Sequence, residues 1–77
     1  MDYEHLDKIA LEVAKGQFER TGVLSTGEKL YVALAANSFK LLKESGYTIA
    51  EAIERLGDEG TSSFVERWRY RGNPENF

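Results

Sequence analysis

The chain has 77 residues, and this length allows one domain over residues 1–77 but not two independent hydrophobic cores. It contains no cysteine, which excludes disulfide bonds, thiolate zinc sites and a thiol nucleophile. Thirteen acidic and ten basic residues give a net charge of −3, whereas domains that bind nucleic-acid phosphates usually carry a basic excess.

The first predicted element is an amphipathic helix that begins after Asp2, and Gly16 either ends this helix or weakens its middle. Its apolar residues recur at helical spacing and would form one buried stripe: Tyr3, Leu6, Ile9, Ala10, Val13 and Ala14. The dipeptide Thr21-Gly22 then predicts a turn.

The second predicted helix is the longest and covers about 26–44. Ser25 and Glu28 have the spacing of a capping box at its start, and Gly46 would stop it. Every residue in 30–36 is apolar or aromatic, so this helix needs neighbours on several sides. The pattern predicts the central helix of a small bundle.

A third helix is predicted over 49–56, where Thr48 and Glu51 form a second capping box and Gly57 is the stop. A fourth is predicted over about 62–71, with the last five residues, 73–77, as a frayed tail. Because β-branched residues are sparse and no segment alternates like a hairpin, the sequence predicts an all-α fold. We expect a single compact bundle of three to four short helices with a C-terminal helical hairpin.

Residues suited to catalysis or metal binding do not form a pattern. His5 is the sole histidine, and neither Glu4 nor Asp7 shares its helix face at a spacing of four residues. Glu51 is accounted for by the capping box, and no nucleophile elbow, phosphate loop or dinucleotide fingerprint is present. The sequence therefore predicts a protein that is not an enzyme and takes no metal, cofactor or small-molecule substrate.

The helices 49–56 and 62–71 together resemble the helix-turn-helix of small phage-type repressors. In that family the second helix lies in the major groove. The resemblance implies that Ser62, Ser63, Glu66 and Arg67 face bases and that Arg69 and Arg71 meet phosphates. The turn is about two residues longer than in that family and carries two acids, so DNA binding is the alternative hypothesis. Without DNA, Arg67 and Arg71 would interact with a helix C-terminus.

The preferred hypothesis is a small regulatory or adaptor domain that acts through protein–protein contacts. The predicted helix 26–44 has more apolar surface than short neighbours can easily cover. Aromatic residues of the kind enriched in interface hot spots are available as partner-binding candidates: Tyr31, Phe39, Trp68 and Tyr70. The partner would be another protein or a second copy in a homodimer. With no secretory signal and no apolar run of about 18 residues, we expect a cytoplasmic protein that does not bind membranes.

Overall fold

The computed structural model describes residues 1–70 of the chain. This part contains four α-helices and no strand, which confirms the predicted all-α class. The elements in order are α1 (Tyr3–Ala14), a 3₁₀ helix (Thr21–Val23), α2 (Thr26–Ala35), α3 (Phe39–Glu44) and α4 (Ile49–Trp68).

The core is built around α2, which contacts α1, α3 and α4. Leu30, Tyr31 and Val32 are all fully buried, as the apolar run of this segment predicts. The other buried apolar residues come from the neighbouring helices and the rest of α2: Leu6, Ile9, Ala10, Val13, Ala33, Ala35, Leu41, Leu42 and Ala52. None of the helices in residues 1–70 combines the length and apolar character needed to cross a membrane.

The predicted continuous helix over 26–44 is instead two helices, and the break lies at Asn37 and Ser38. Asn37 has φ 53°, a left-handed conformation that asparagine tolerates better than most residues. Ser38 then starts α3, because its hydroxyl accepts a hydrogen bond of 3.2 Å from the Leu41 amide. The chain changes direction here, so Leu41 and Leu42 return to the core rather than extend past it.

The conformation of Asn37 predicts how the break responds to substitution. Asn37→Ala should lower the free energy of unfolding by about 0.5–1 kcal/mol, and Asn37→Gly should leave it unchanged or raise it slightly. Urea denaturation of both variants checks this. Equal destabilisation by glycine and alanine would mean that the asparagine side chain, and not its backbone conformation, matters.

The helix α4 is divided at Gly57, which has φ 72° and ψ −177° inside an otherwise helical segment. This region of backbone space is essentially restricted to glycine. The predicted stop at Gly57 is therefore present, and it divides α4 into a first arm (49–56) and a second arm (58–68). The second arm begins directly after Gly57 rather than at 62, so the predicted turn over 58–61 is helical. The predicted helix end at 71 and the tail 73–77 lie outside the described residues.

Both capping boxes predicted from the sequence are formed. The Ser25 and Thr48 hydroxyls accept hydrogen bonds from the amides of Glu28 and Glu51, and each glutamate side chain accepts one from the backbone amide of its cap. The bonds from the cap residues lower the pKa of Glu28 and of Glu51 below the ordinary value. The caps thus fix where α2 and the first arm of α4 begin.

Candidate functional site

An apolar groove lies between α3 and the start of α4. Its volume is about 640 Å³. It forms because α3 is only six residues long and the chain reverses at Gly46, so two helix ends meet without filling the space between them. We call it the α3–α4 groove, and its lining residues are Phe39, Leu42, Lys43, Gly46, Tyr47, Thr48, Ile49 and Ala50.

Large apolar side chains at this groove are exposed to solvent. The exposed fraction is 71% for Phe39 and 53% for Ile49, and Ile53, one turn after Ile49, is 40% exposed. A second hollow of about 60 Å³ adjoins the groove and shares Phe39, Leu42 and Ile49 with it. The apolar surface is therefore continuous from the end of α2 to the first arm of α4, a feature that marks interaction sites on small soluble domains.

The position of Phe39 follows from the local structure. It is the first residue of α3 after the Ser38 cap, and Leu41 and Leu42 occupy the core-facing side of this short helix. The next residue, Lys40, places its ammonium group 4.7 Å from the centre of the Phe18 ring. Packing of α3 in this orientation leaves Phe39 at the groove.

A charged residue also lines the groove. Lys43 of α3 lies in its lining and is exposed. A ligand in the groove would therefore meet an apolar floor and a cation from α3.

The second notable site is a buried carboxylate, Asp7 of α1, which is 6% exposed. Its Oδ1 accepts hydrogen bonds of 2.7 Å from the Tyr31 hydroxyl and 2.7 Å from the Trp68 indole N–H. Its Oδ2 accepts a bond of 2.6 Å from Arg67 Nε, which is also an ion pair. We call these four residues the Asp7 cluster. It joins α1, α2 and the end of α4 through side chains, although α1 and α4 share few backbone contacts.

The environment of Asp7 sets its protonation state. Burial alone would raise its pKa, but hydrogen bonds from Tyr31, Trp68 and Arg67, together with the Arg67 charge, outweigh burial and leave the pKa below 3.8. Burial and the bond to Asp7 raise the pKa of Tyr31 far above its ordinary value. Asp7 is thus ionised and Tyr31 neutral at pH 7, and both oxygens of the carboxylate face donors. This geometry indicates that Asp7 has a structural role, in which it connects α1, α2 and α4, rather than a role as a general acid or base.

The aromatic residues proposed from the sequence as partner-binding candidates occupy two kinds of place. Tyr31 is fully buried and Trp68 partly buried, and both donate to Asp7. Phe39 lies on the α3–α4 groove, whereas Tyr70 follows the end of α4, is 53% exposed and has the Arg69 guanidinium 5.0 Å from its ring centre. The apolar neighbours of Tyr31 in the sequence indicate that it is buried in the core. They do not indicate its hydrogen bond to Asp7, which lies 24 residues earlier.

Residues of the helix-turn-helix alternative are also dispersed. Ser62, Glu66 and Arg69 are exposed and line a shallow hollow of about 370 Å³, while Ser63 is partly buried. Arg67 donates to Asp7, and Arg71 lies outside the described residues. DNA binding stays a prediction, which a titration of duplex DNA at low salt with Arg69→Ala as comparison would test.

Metal binding and similarity to known proteins add no further site. Within residues 1–70, no group of three or more histidine, aspartate or glutamate side chains is placed to hold a metal ion. Comparison with protein-family models, curated proteins and solved structures gives no match.

Proposed function

We propose that this protein is a small non-enzymatic regulatory or adaptor domain that binds an amphipathic helix of another protein in the α3–α4 groove. The observation that carries the proposal is the exposure of Phe39, 71%, on an apolar groove that Ile49, 53% exposed, also lines. Exposed apolar surface of this kind lowers solubility unless a ligand covers it.

A helix is the segment type that this groove suits best. Its walls are α3 and the first arm of α4, and each contributes an exposed apolar side chain, Phe39 from α3 and Ile49 from the first arm. Helix-in-groove recognition uses apolar anchors at positions i, i+3 or i+4, and i+7 of the ligand. The lining by Leu42 and Tyr47 gives such anchors further apolar contacts.

The expected affinity follows from the area that a ligand would cover. Burial of Phe39 and Ile49 together supplies about 2–4 kcal/mol, whereas micromolar binding requires about 8 kcal/mol. Contacts with Ile53, Leu42 and Tyr47 must contribute as well, so we expect affinities in the micromolar range or weaker. A carboxylate on the flank of the ligand would pair with Lys43, and this pair would affect association rate and salt dependence more than affinity.

A selection with a matched control tests the proposal. The full chain is used to select peptides from a library of amphipathic helices, and dissociation constants are measured by titration. Phe39→Asp should weaken binding by about tenfold to a hundredfold, because a charge would replace an anchor contact worth about 1.5–3 kcal/mol. The substitution should fold normally, since an acid in the first turn of a helix interacts favourably with the helix dipole.

Val23→Asp is the control, because Val23 is 88% exposed on the 3₁₀ helix, away from the lining residues of the groove. Peptide affinity should be unchanged in this variant. The proposal is wrong if no peptide binds, or if Val23→Asp weakens binding as much as Phe39→Asp does. Occupation of the groove by a second copy of the chain would also contradict it, and would appear as a dimer that Phe39→Asp dissociates.

A further inference from the structure

The second arm of α4 is connected to the rest of the molecule through one residue with non-helical geometry. Every other residue of Ile49–Trp68 has helical dihedrals, and Gly57 alone makes the corner. If Gly57 became helical, the 20 residues of α4 would form one straight helix about 30 Å long. That helix would carry residues 58–68 away from the body of their own molecule.

The corner at Gly57 brings the two arms of α4 into close contact. Across the corner the Thr61 hydroxyl donates to the carbonyl of Ile53 at 3.2 Å. Gly60 is buried in the corner, and a Cβ at this position would lie 3.0 Å from the Cβ of Leu56. In a straight helix residues four apart are about 5–6 Å apart at Cβ, so this crowding would disappear.

The second arm docks on a receptor surface formed by α1 and α2. Phe64 meets the Tyr31 ring edge to face at 6.4 Å between centroids, and Arg67 and Trp68 donate to Asp7. All of these contacts join residues 64–68 to residues earlier than Ala35. They do not require the arm and the receptor surface to belong to the same molecule.

We infer that two copies of this chain can exchange their second arms. In this exchange Gly57 adopts helical dihedrals and α4 straightens in both copies. Each second arm then docks on the receptor surface of the other molecule. The bonds from Arg67 and Trp68 to Asp7 then form between chains, whereas the bond from Tyr31 to Asp7 stays within one chain. The exchange is symmetric, as in domain-swapped dimers. Because glycine tolerates the conformation at the corner, Gly57 favours the closed monomer over the exchanged dimer. This exchange uses no side chain of the α3–α4 groove and is independent of the proposed function.

Gly57→Ala is the first test, measured by sedimentation equilibrium over micromolar to millimolar concentration. Alanine is disfavoured at the corner and favoured in a helix, a combined preference of about tenfold or more in each chain. We therefore expect the dissociation constant of the dimer to fall by about a hundredfold relative to the unmodified chain. Gly22→Ala is the control, since a Cβ there meets open space and its φ is ordinary, and it should leave the dissociation constant unchanged.

Complementation shows whether the dimer is exchanged. One variant combines Gly57→Ala with Asp7→Asn, and a second combines Gly57→Ala with Trp68→Ala. In an exchanged heterodimer the intact arm of the first chain meets the intact receptor surface of the second. Mixing should therefore give a heterodimer at least tenfold tighter than either homodimer. A dimer that shows no gain on mixing contradicts the exchange.

Refolding of the unmodified chain keeps the inference testable if these variants fold poorly. Dilution from denaturant at millimolar concentration should trap a dimer that returns to monomer slowly, because exchange requires the arm to leave its receptor surface. Dilution at micromolar concentration should give monomer alone. A strictly monomeric product at both concentrations, together with a monomeric Gly57→Ala variant, would overturn the inference.

Discussion

Asp7→Ala is expected to lower the free energy of unfolding by about 3–5 kcal/mol, the largest effect of any substitution considered for this chain. The substitution leaves the Tyr31 hydroxyl without its buried acceptor and removes the partner of Arg67. Domains of this size are stable by only a few kcal/mol, so the variant should be substantially unfolded at 25 °C. Asp7→Asn retains one acceptor oxygen and should cost about 1–3 kcal/mol, which urea denaturation can measure.

Glu12→Ala provides the comparison for this result. Glu12 also accepts two hydrogen bonds from an arginine, Arg20, at 2.8 and 2.9 Å, but this pair lies at the surface. Exposed ion pairs contribute little because water competes for both groups. The loss on Glu12→Ala should therefore be much smaller than that on Asp7→Asn. Similar losses for the two variants would show that the burial of Asp7 is not what makes its bonds important.

Acid should remove the stabilisation that comes from Asp7. Its pKa in the folded protein is below 3.8, so the unfolded state binds a proton more readily than the folded state. The contribution of this group is fully present above the ordinary pKa and is lost as the pH falls through the folded value. Glu28 and Glu51 act in the same direction through their capping bonds. Unfolding free energies measured between pH 6 and pH 2 should fall below about pH 4, and Asp7→Asn should fall less steeply.

Local signals in the sequence were sufficient to locate most helix starts and stops. A capping box needs only two side chains three residues apart, and both boxes are formed at Ser25 and Thr48. The stop at Gly57 is equally local. The break at Asn37 was not predicted, because the apolar run before it and Leu41 and Leu42 after it fit one continuous helical pattern. The Asn-Ser pair was the available signal, since asparagine accepts left-handed geometry and serine caps a helix.

The Asp7 cluster could not be found in this way. Asp7 lies four residues after Tyr3 and three before Ala10, within the apolar stripe of α1, which is an unusual place for a carboxylate. Its place in this stripe indicates that Asp7 is buried, but its donors Arg67 and Trp68 are about 60 residues away in the sequence. No spacing rule relates residues so far apart. Only the fold, with the second arm turned back at Gly57, shows that they meet.

The sequence did not predict the α3–α4 groove, for a different reason. Four apolar residues of the helix 49–56 recur at helical spacing, and this spacing predicts that they form one buried stripe: Ile49, Ala52, Ile53 and Leu56. In the structure Ala52 is fully buried, whereas Ile49 and Ile53 remain 53% and 40% exposed. Ile49 lines the α3–α4 groove, where the six-residue α3 leaves it partly uncovered. The stripe alone could not show this, because helical spacing identifies the side chains on one face but not whether a neighbouring element covers them.

Gly60→Ala should lower the free energy of unfolding of the closed monomer by about 1–2 kcal/mol. The new Cβ would lie 3.0 Å from the Cβ of Leu56, and both atoms are fixed to backbone, so the corner must open to relieve the contact. The better helix propensity of alanine offsets about 1 kcal/mol of this cost. Urea denaturation at low micromolar concentration, with Gly22→Ala as control, measures the effect where the chain is monomeric.

The same substitution makes the link between crowding and arm exchange testable. Straightening of α4 removes the contact with Leu56, so Gly60→Ala should destabilise the closed monomer but not the exchanged dimer. The variant should then gain stability with increasing protein concentration, whereas Asp7→Asn, which weakens the same docking contacts in both forms, should remain less stable than the unmodified chain at every concentration. If the stability lost relative to the unmodified chain were recovered at high protein concentration in both variants, or in neither, the corner at Gly57 and Gly60 would not control the balance between closed monomer and exchanged dimer.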